Sequence, residues 1–168
     1  MVAAQKTRKK ELSEQERHER DDAYNEFKAK ALTEPLDWFK HDTNARVDEK
    51  VRYMIAERGL EWYGLWWVLV ELLYQQKGHI YDVSTDIGWR MLALDISSCG
   101  IFFDIDKTKE AMNVFVHYGL LDKVSFNEFS HVTNARVLDI VDEIASGKAT
   151  LQIKGWLAHQ GKDETETS

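Results

Sequence analysis

The side chains that could do covalent or metal chemistry are few and scattered. The six histidines, His18, His41, His79, His117, His131 and His159, show no metal-ligand spacing with carboxylates, so no metal site is expected. His41 and Asp42 are adjacent, and adjacent side chains need not converge. The single cysteine, Cys99, has no nucleophile signature around it and reads as a small turn or core residue. One cysteine also excludes an internal disulfide and a cysteine-rich zinc centre. No glycine-rich motif is present to cradle a phosphate. The chain is expected to be noncatalytic, with no cofactor and no small-molecule substrate.

What remains is recognition chemistry. Lys107, Lys109, Asn113 and His117 avoid the core stripe of an expected helix. Lysines there would meet phosphates, and Asn113 could read an adenine edge. Lys123 and Asn127 fall on or near an expected hairpin, and Arg136 follows it. Acidic residues lie among them, namely Asp104, Asp106, Glu110 and Glu128. An ordinary solvated face accounts for the same set. The densest basic cluster, Lys6, Arg8, Lys9 and Lys10, could track a phosphate backbone or simply keep a terminus soluble.

The second set is aromatic. Trp62, Tyr63, Trp66 and Trp67 could stack single-stranded bases, but their helical spacing favours core or oligomer packing. Of these, Trp62, Tyr63 and Trp66, together with Tyr24 and Phe27, are the expected partner-binding anchors, and a homo-oligomer is expected.

Charge bears on the choice of partner. The net charge is −7, and residues 36–146 carry all of it, because the flanking segments are balanced. An acidic core does not attract nucleic acid in general, although a local basic patch could. The longest apolar run, near Leu65 to Val70, is too short to span a bilayer, and the N-terminus lacks a secretory stretch. A cytoplasmic protein with no membrane partner is expected.

These residues must be positioned by a core, and hydrophobic residues at 43% supply one. Residues 1–34 are rich in Glu, Lys, Arg and Ala and read as a helical arm, ended by Pro35. A helix is expected from about Asn44 to Glu57, on Val47, Val51, Met54 and Ile55. A second, apolar nearly all round, runs from about Glu61 to Gln76 and is closed by Gly78. His79–Tyr81 reads as a short strand. A third helix runs from Ser84 or Thr85 to about Ile96, with Ile87, Met91, Leu92 and Leu94 inward. A turn follows, with Gly100 as its flexible point. A fourth helix runs from Asp106 to Gly119, with Ala111, Met112, Phe115 and Tyr118 inward. Leu120–Val124, a turn at Ser125–Glu128 and Phe129–Thr133 read as a β-hairpin. A last helix runs from Asn134 to about Ser146, ended by Gly147. The fold class is mostly α with a small β-hairpin (α+β), a winged helix-turn-helix with an N-terminal helical arm. The expected divisions are arm 1–35, winged-helix domain 36–146 and tail 147–168. Thr43–Val47 and Thr133–Val137 repeat the same five residues, Thr-Asn-Ala-Arg-Val, each at an expected helix start. Shared capping chemistry explains the echo without a domain repeat.

Trp38-Phe39-Lys40-His41-Asp42-Thr43-Asn44-Ala45-Arg46, Asp48-Glu49-Lys50 and Gly59-Leu60-Glu61-Trp62-Tyr63-Gly64 resemble the opening of an uncharacterised phage and prophage domain. That domain looks like the N-terminal winged helix of DnaD-type primosome proteins and phage replisome organisers. Tyr118-Gly119-Leu120-Leu121-Asp122 fits the same pattern, so the resemblance covers roughly residues 36–145. It implies a role in starting replication, by binding DNA or by assembling replication proteins. Family members usually carry a basic cluster after the hairpin, and here only Arg136 stands there. The expected function is a phage-type replication accessory module that binds DNA and helps organise the replisome. The alternatives are a protein–protein adaptor or oligomerisation unit with the same fold, or a protein that redirects a host factor.

Overall fold

The computed structural model describes residues 13–38, 43–97 and 102–163, with side chains described as far as residue 155. Gly100, Cys99, His41 and the basic cluster Lys6–Lys10 lie outside the described residues, as do the side chains of Trp156 and Leu157. The chain divides into two compact units, one made of residues 1–31 with 145–168 and the other of 32–144.

The first unit holds α1 (Glu14–Thr33) and the second half of the long α7 (Ala135–Asp163). Ala31, Ala145, Ala149 and Ile153 are buried. Tyr24 and Phe27 are half-buried on α1. Gly147 was expected to stop the last helix, but α7 runs through it. The cost of a glycine in a helix, about 1 kcal/mol, is easily met by the contacts of a long helix.

The second unit is mostly helical with one small antiparallel sheet. A 3-10 turn (Ala45–Val47) precedes α2 (Glu49–Arg58), and α3 (Leu60–Gln75) follows. Asp48, not Thr43 or Asn44, caps α2, accepting the backbone N–H groups of Lys50 and Val51. Strand β1 (Tyr81–Asp82) leads to α4 (Asp86–Ser97) and α5 (Ile105–His117). Helix α5, expected from Asp106, is capped by Asp104, which accepts the Lys107 N–H at 2.8 Å. The core gathers Met54 from α2, Leu69 and Leu73 from α3, Leu92 and Ile96 from α4, Met112 and Phe115 from α5, and Val137 and Ile140 from α7.

The expected hairpin is not formed. Residues 123–129 are a helix, α6 (Lys123–Phe129), where a strand and turn were expected. Asp122 starts it by accepting the Ser125 N–H at 2.7 Å. That bond holds the Asp122 carboxyl below its ordinary range. Ser130, in the left-handed conformation, ends the helix. Strand β2 (His131–Val132) then pairs with the distant β1, Tyr81 opposite Val132 and Asp82 opposite His131. The sheet therefore closes over 48 intervening residues of chain, from Val83 to Ser130.

Gly88 lets α4 lie against that sheet. A Cβ at Gly88 would fall 2.3 Å from the Asp82 carbonyl oxygen. Backbone cannot yield there as a flexible side chain would.

Candidate interaction surfaces

On α5, at about 100° per residue, Lys109, Asn113 and His117 share one face with Asp106 and Glu110. Lys107 sits in the first turn, off that face. Lys107, Asn113 and His117 are exposed, and Lys109 is partly covered. Two of the four are already engaged. The Lys109 ammonium lies over the Trp89 ring at 5.4 Å from its centroid, and the Asn113 amide donates to the Lys109 carbonyl at 2.9 Å. The His117 ring stands edge-on to Tyr118. The exposed Lys123 and Asn127 lie on α6 instead of on a hairpin, and Arg136 is exposed in the first turn of α7. The α5 face mixes signs and carries no cationic stripe.

The aromatic anchors on α3 are mostly core. Trp66 is buried with its ring 5.4 Å from Phe115, and half-buried Trp62 meets the same ring edge-on at 5.9 Å. The Arg58 guanidinium covers Trp62 at 5.7 Å. Half-buried Tyr63 packs edge-on against Trp67. Trp62 and Trp66 thus fill space between α3 and α5.

Among the described residues, three large apolar side chains on one face of α4 are exposed. Ile87, Met91 and Leu94 were expected to point inward, but they are 73%, 48% and 62% exposed. Leu92, Ala93 and Ile96 hold the core contact. Projected around the helix, the two sets lie on opposite sides, so only one can face the core. Phe102, entering α5, is 72% exposed, and with Leu94 it lines an open groove. Asp86, Asp104 and Asp106 border that groove, together with Arg90 and Lys109. The sequence signal was available: α4 carries more apolar residues than one contact face can use.

A second concavity, of about 460 Å³, is lined by both Thr-Asn-Ala-Arg-Val segments. Lys50 stands at it and donates to the Gly119 carbonyl at 2.9 Å. Gly119 has a φ of 67°, the left-handed conformation that glycine adopts without strain. Buried His79 lies elsewhere in the core. Its Nδ1 is 3.3 Å from the Leu73 carbonyl, and burial pushes its pKa down.

Among the described residues no three His, Cys, Asp or Glu side chains converge as a metal site, and no helix is long and apolar enough to cross a membrane. The molecule is mostly helical with a two-stranded antiparallel sheet. The chain belongs to the Lin1244/Lin1753-like N-terminal family, whose family model matches residues 38–137. Neither the curated proteins nor the solved structures contain a match to it.

Proposed function

We propose that this chain is a noncatalytic winged-helix module of a phage-type replication accessory protein, and that its main surface meets protein. The observation that carries the protein reading is the exposed row of Ile87, Met91, Leu94 and Phe102. A contiguous apolar row of this size is costly to leave in water, and such patches mark interaction sites. The partner is an amphipathic segment with an apolar face flanked by Lys or Arg. Asp86, Asp104 and Asp106 border the groove beside that row, and Lys109 is already held over Trp89.

The winged-helix reading is supported by the order of elements: a helix, a short strand, two helices, the short α6, then a strand antiparallel to the first. The Asp122 N–H donates to the Thr133 carbonyl, where a third strand would run. In this reading α6 replaces the wing. The phage replication role rests on the resemblance of residues 36–145 to the phage domain described above.

A second reading, direct DNA contact, is favoured by the exposed cations Lys107, Lys123 and Arg136. Titration of duplex and single-stranded DNA at low and moderate salt separates the two. The protein reading expects no binding even at low salt. Tight, salt-sensitive binding that Lys107→Ala with Lys123→Ala abolishes would establish the DNA reading in its place. In the complementary arm, a Lys-flanked amphipathic helical peptide should bind the wild-type chain and lose binding to Met91→Asp with Leu94→Asp.

A further inference from the structure

One member of the exposed row on α4 differs in chemistry from its neighbours. Ile87 and Leu94 are hydrocarbon side chains. Met91, one turn after Ile87 and one turn before Leu94, carries a thioether. The chain has four methionines, and Met1 lies outside the described residues. Met54 and Met112 are 0% exposed in the core, whereas Met91 is 48% exposed. The helix fixes that difference. Leu92, Ala93 and Ile96 take the side of α4 that meets the core, and position 91 falls on the opposite side.

A thioether in water reacts with peroxides. A sulfur lone pair attacks one peroxide oxygen, and an S–O bond forms as the O–O bond breaks. The sulfur is oxidised by two electrons, and hydrogen peroxide is reduced to water. The sulfoxide keeps the length of the side chain but puts a strong hydrogen-bond acceptor where an apolar sulfur stood. On the free helix that oxygen stays in water and costs little. Under an apolar partner it is buried without a donor, because Ile87 and Leu94 have none to offer. The adjacent cation, Arg90, is exposed and projects about 100° around the helix from Met91. The buried thioethers of Met54 and Met112 meet peroxide only when the fold opens.

We propose that Met91 is an oxidation site that switches the docking row: a peroxide converts it to the sulfoxide, and the bound amphipathic segment is released with the fold intact. The inference rests on the docking reading of the row given above. The switch is reversible. Methionine sulfoxide reductases, with a dithiol as electron donor, remove the oxygen as water, leave a disulfide and restore the thioether. A methionine at the centre of the row serves docking too, because its flexible, polarisable side chain adapts to the partner's surface.

The test treats the full chain with hydrogen peroxide, removes the oxidant, and follows each methionine by peptide mass mapping. The Lys-flanked amphipathic peptide, made without Met or Cys, is then titrated against treated and untreated protein. Met91 should gain one oxygen atom while Met54 and Met112 stay reduced, with the circular dichroism spectrum unchanged. Peptide affinity should fall roughly 10- to 100-fold, the loss expected for a buried acceptor without a donor. Incubation with the reductases of both stereospecificities should restore it. Cys99 also reacts with peroxide, so Met91→Leu is treated in parallel and compared with its own untreated form. Its affinity should not change on treatment. A wild-type chain that fails to bind the peptide before treatment overturns the docking reading and the switch with it. Equal affinity before and after full oxidation of Met91 overturns the switch alone. So does oxidation of Met54 or Met112 as fast as Met91 in the folded chain, or an equal loss of affinity in treated Met91→Leu.

Discussion

Helices α3 and α4 look alike in composition and behave differently in the fold. Both carry more large apolar residues than a single-faced amphipathic helix needs. In α3 the excess beyond Leu60 is absorbed: Trp62 and Trp66 close on Phe115, Tyr63 meets Trp67, and Leu69 and Leu73 are fully buried. In α4 one side, Leu92 with Ile96, is absorbed, and the opposite side, Ile87 with Met91 and Leu94, faces solvent. An apolar residue on a helix thus signals burial only where a neighbouring element exists to cover that side. Where none does, the same residue type stays exposed to solvent.

The sharpest way to break this comparison is to truncate one residue from each helix's environment. Phe115→Ala, which removes the ring that Trp62 and Trp66 share, should cost about 3–5 kcal/mol in a urea unfolding experiment. Gly88→Ala forces a methyl group onto the Asp82 carbonyl and should cost about 1–3 kcal/mol, an overpacking penalty, in the same measurement. A Gly88→Ala protein as stable as wild type would mean that α4 does not lie against β1 as described. Asp122→Ala removes the cap of α6 and should cost about 1 kcal/mol by thermal unfolding. Leu94→Ser, at the far end of the scale, should stay within about 0.5 kcal/mol of wild type while weakening peptide docking. A large stability loss there would place Leu94 in the core after all.

Acid should act through His79. Burial lowers its pKa below the ordinary value of 6.5, so the folded state holds the neutral ring while the unfolded chain takes up a proton. Its contribution to stability is complete above about pH 6.5 and is lost as pH falls toward the lower folded value. Urea midpoints should drop between pH 7.5 and pH 5.5, and His79→Gln should flatten that slope. An equal slope in the variant would assign the acid sensitivity to other groups.

The core of the second unit was largely legible from spacing. Met54, Leu69, Leu73, Met112 and Phe115 all recur at helical intervals and are buried. The stretch 120–133 was not. Leu120-Leu121, Val124, Phe126 and Phe129 fit a strand pair as readily as a short helix. Asp122 decided for the helix through one side-chain bond to Ser125, and β2 found its partner in β1. Of the candidate site residues, sequence placed Lys107, Asn113 and His117 outside, but it could not show that Trp89 takes Lys109 or that Asn113 turns back on its own helix. Nor could it show that Asn44, Lys50 and Arg136 line one cavity, since residues so distant in the chain meet only after folding.

Sequence by itself determined the helices α2 to α5, the acidic balance of the core and the aromatic weight of α3, because periodicity, charge and side-chain size are local properties. Tertiary structure decided which side of α4 is covered, which strand β2 pairs with and where the two Thr-Asn-Ala-Arg-Val segments meet. Those outcomes depend on contacts between distant residues, and a helix with two apolar sides does not encode which one its neighbours will take.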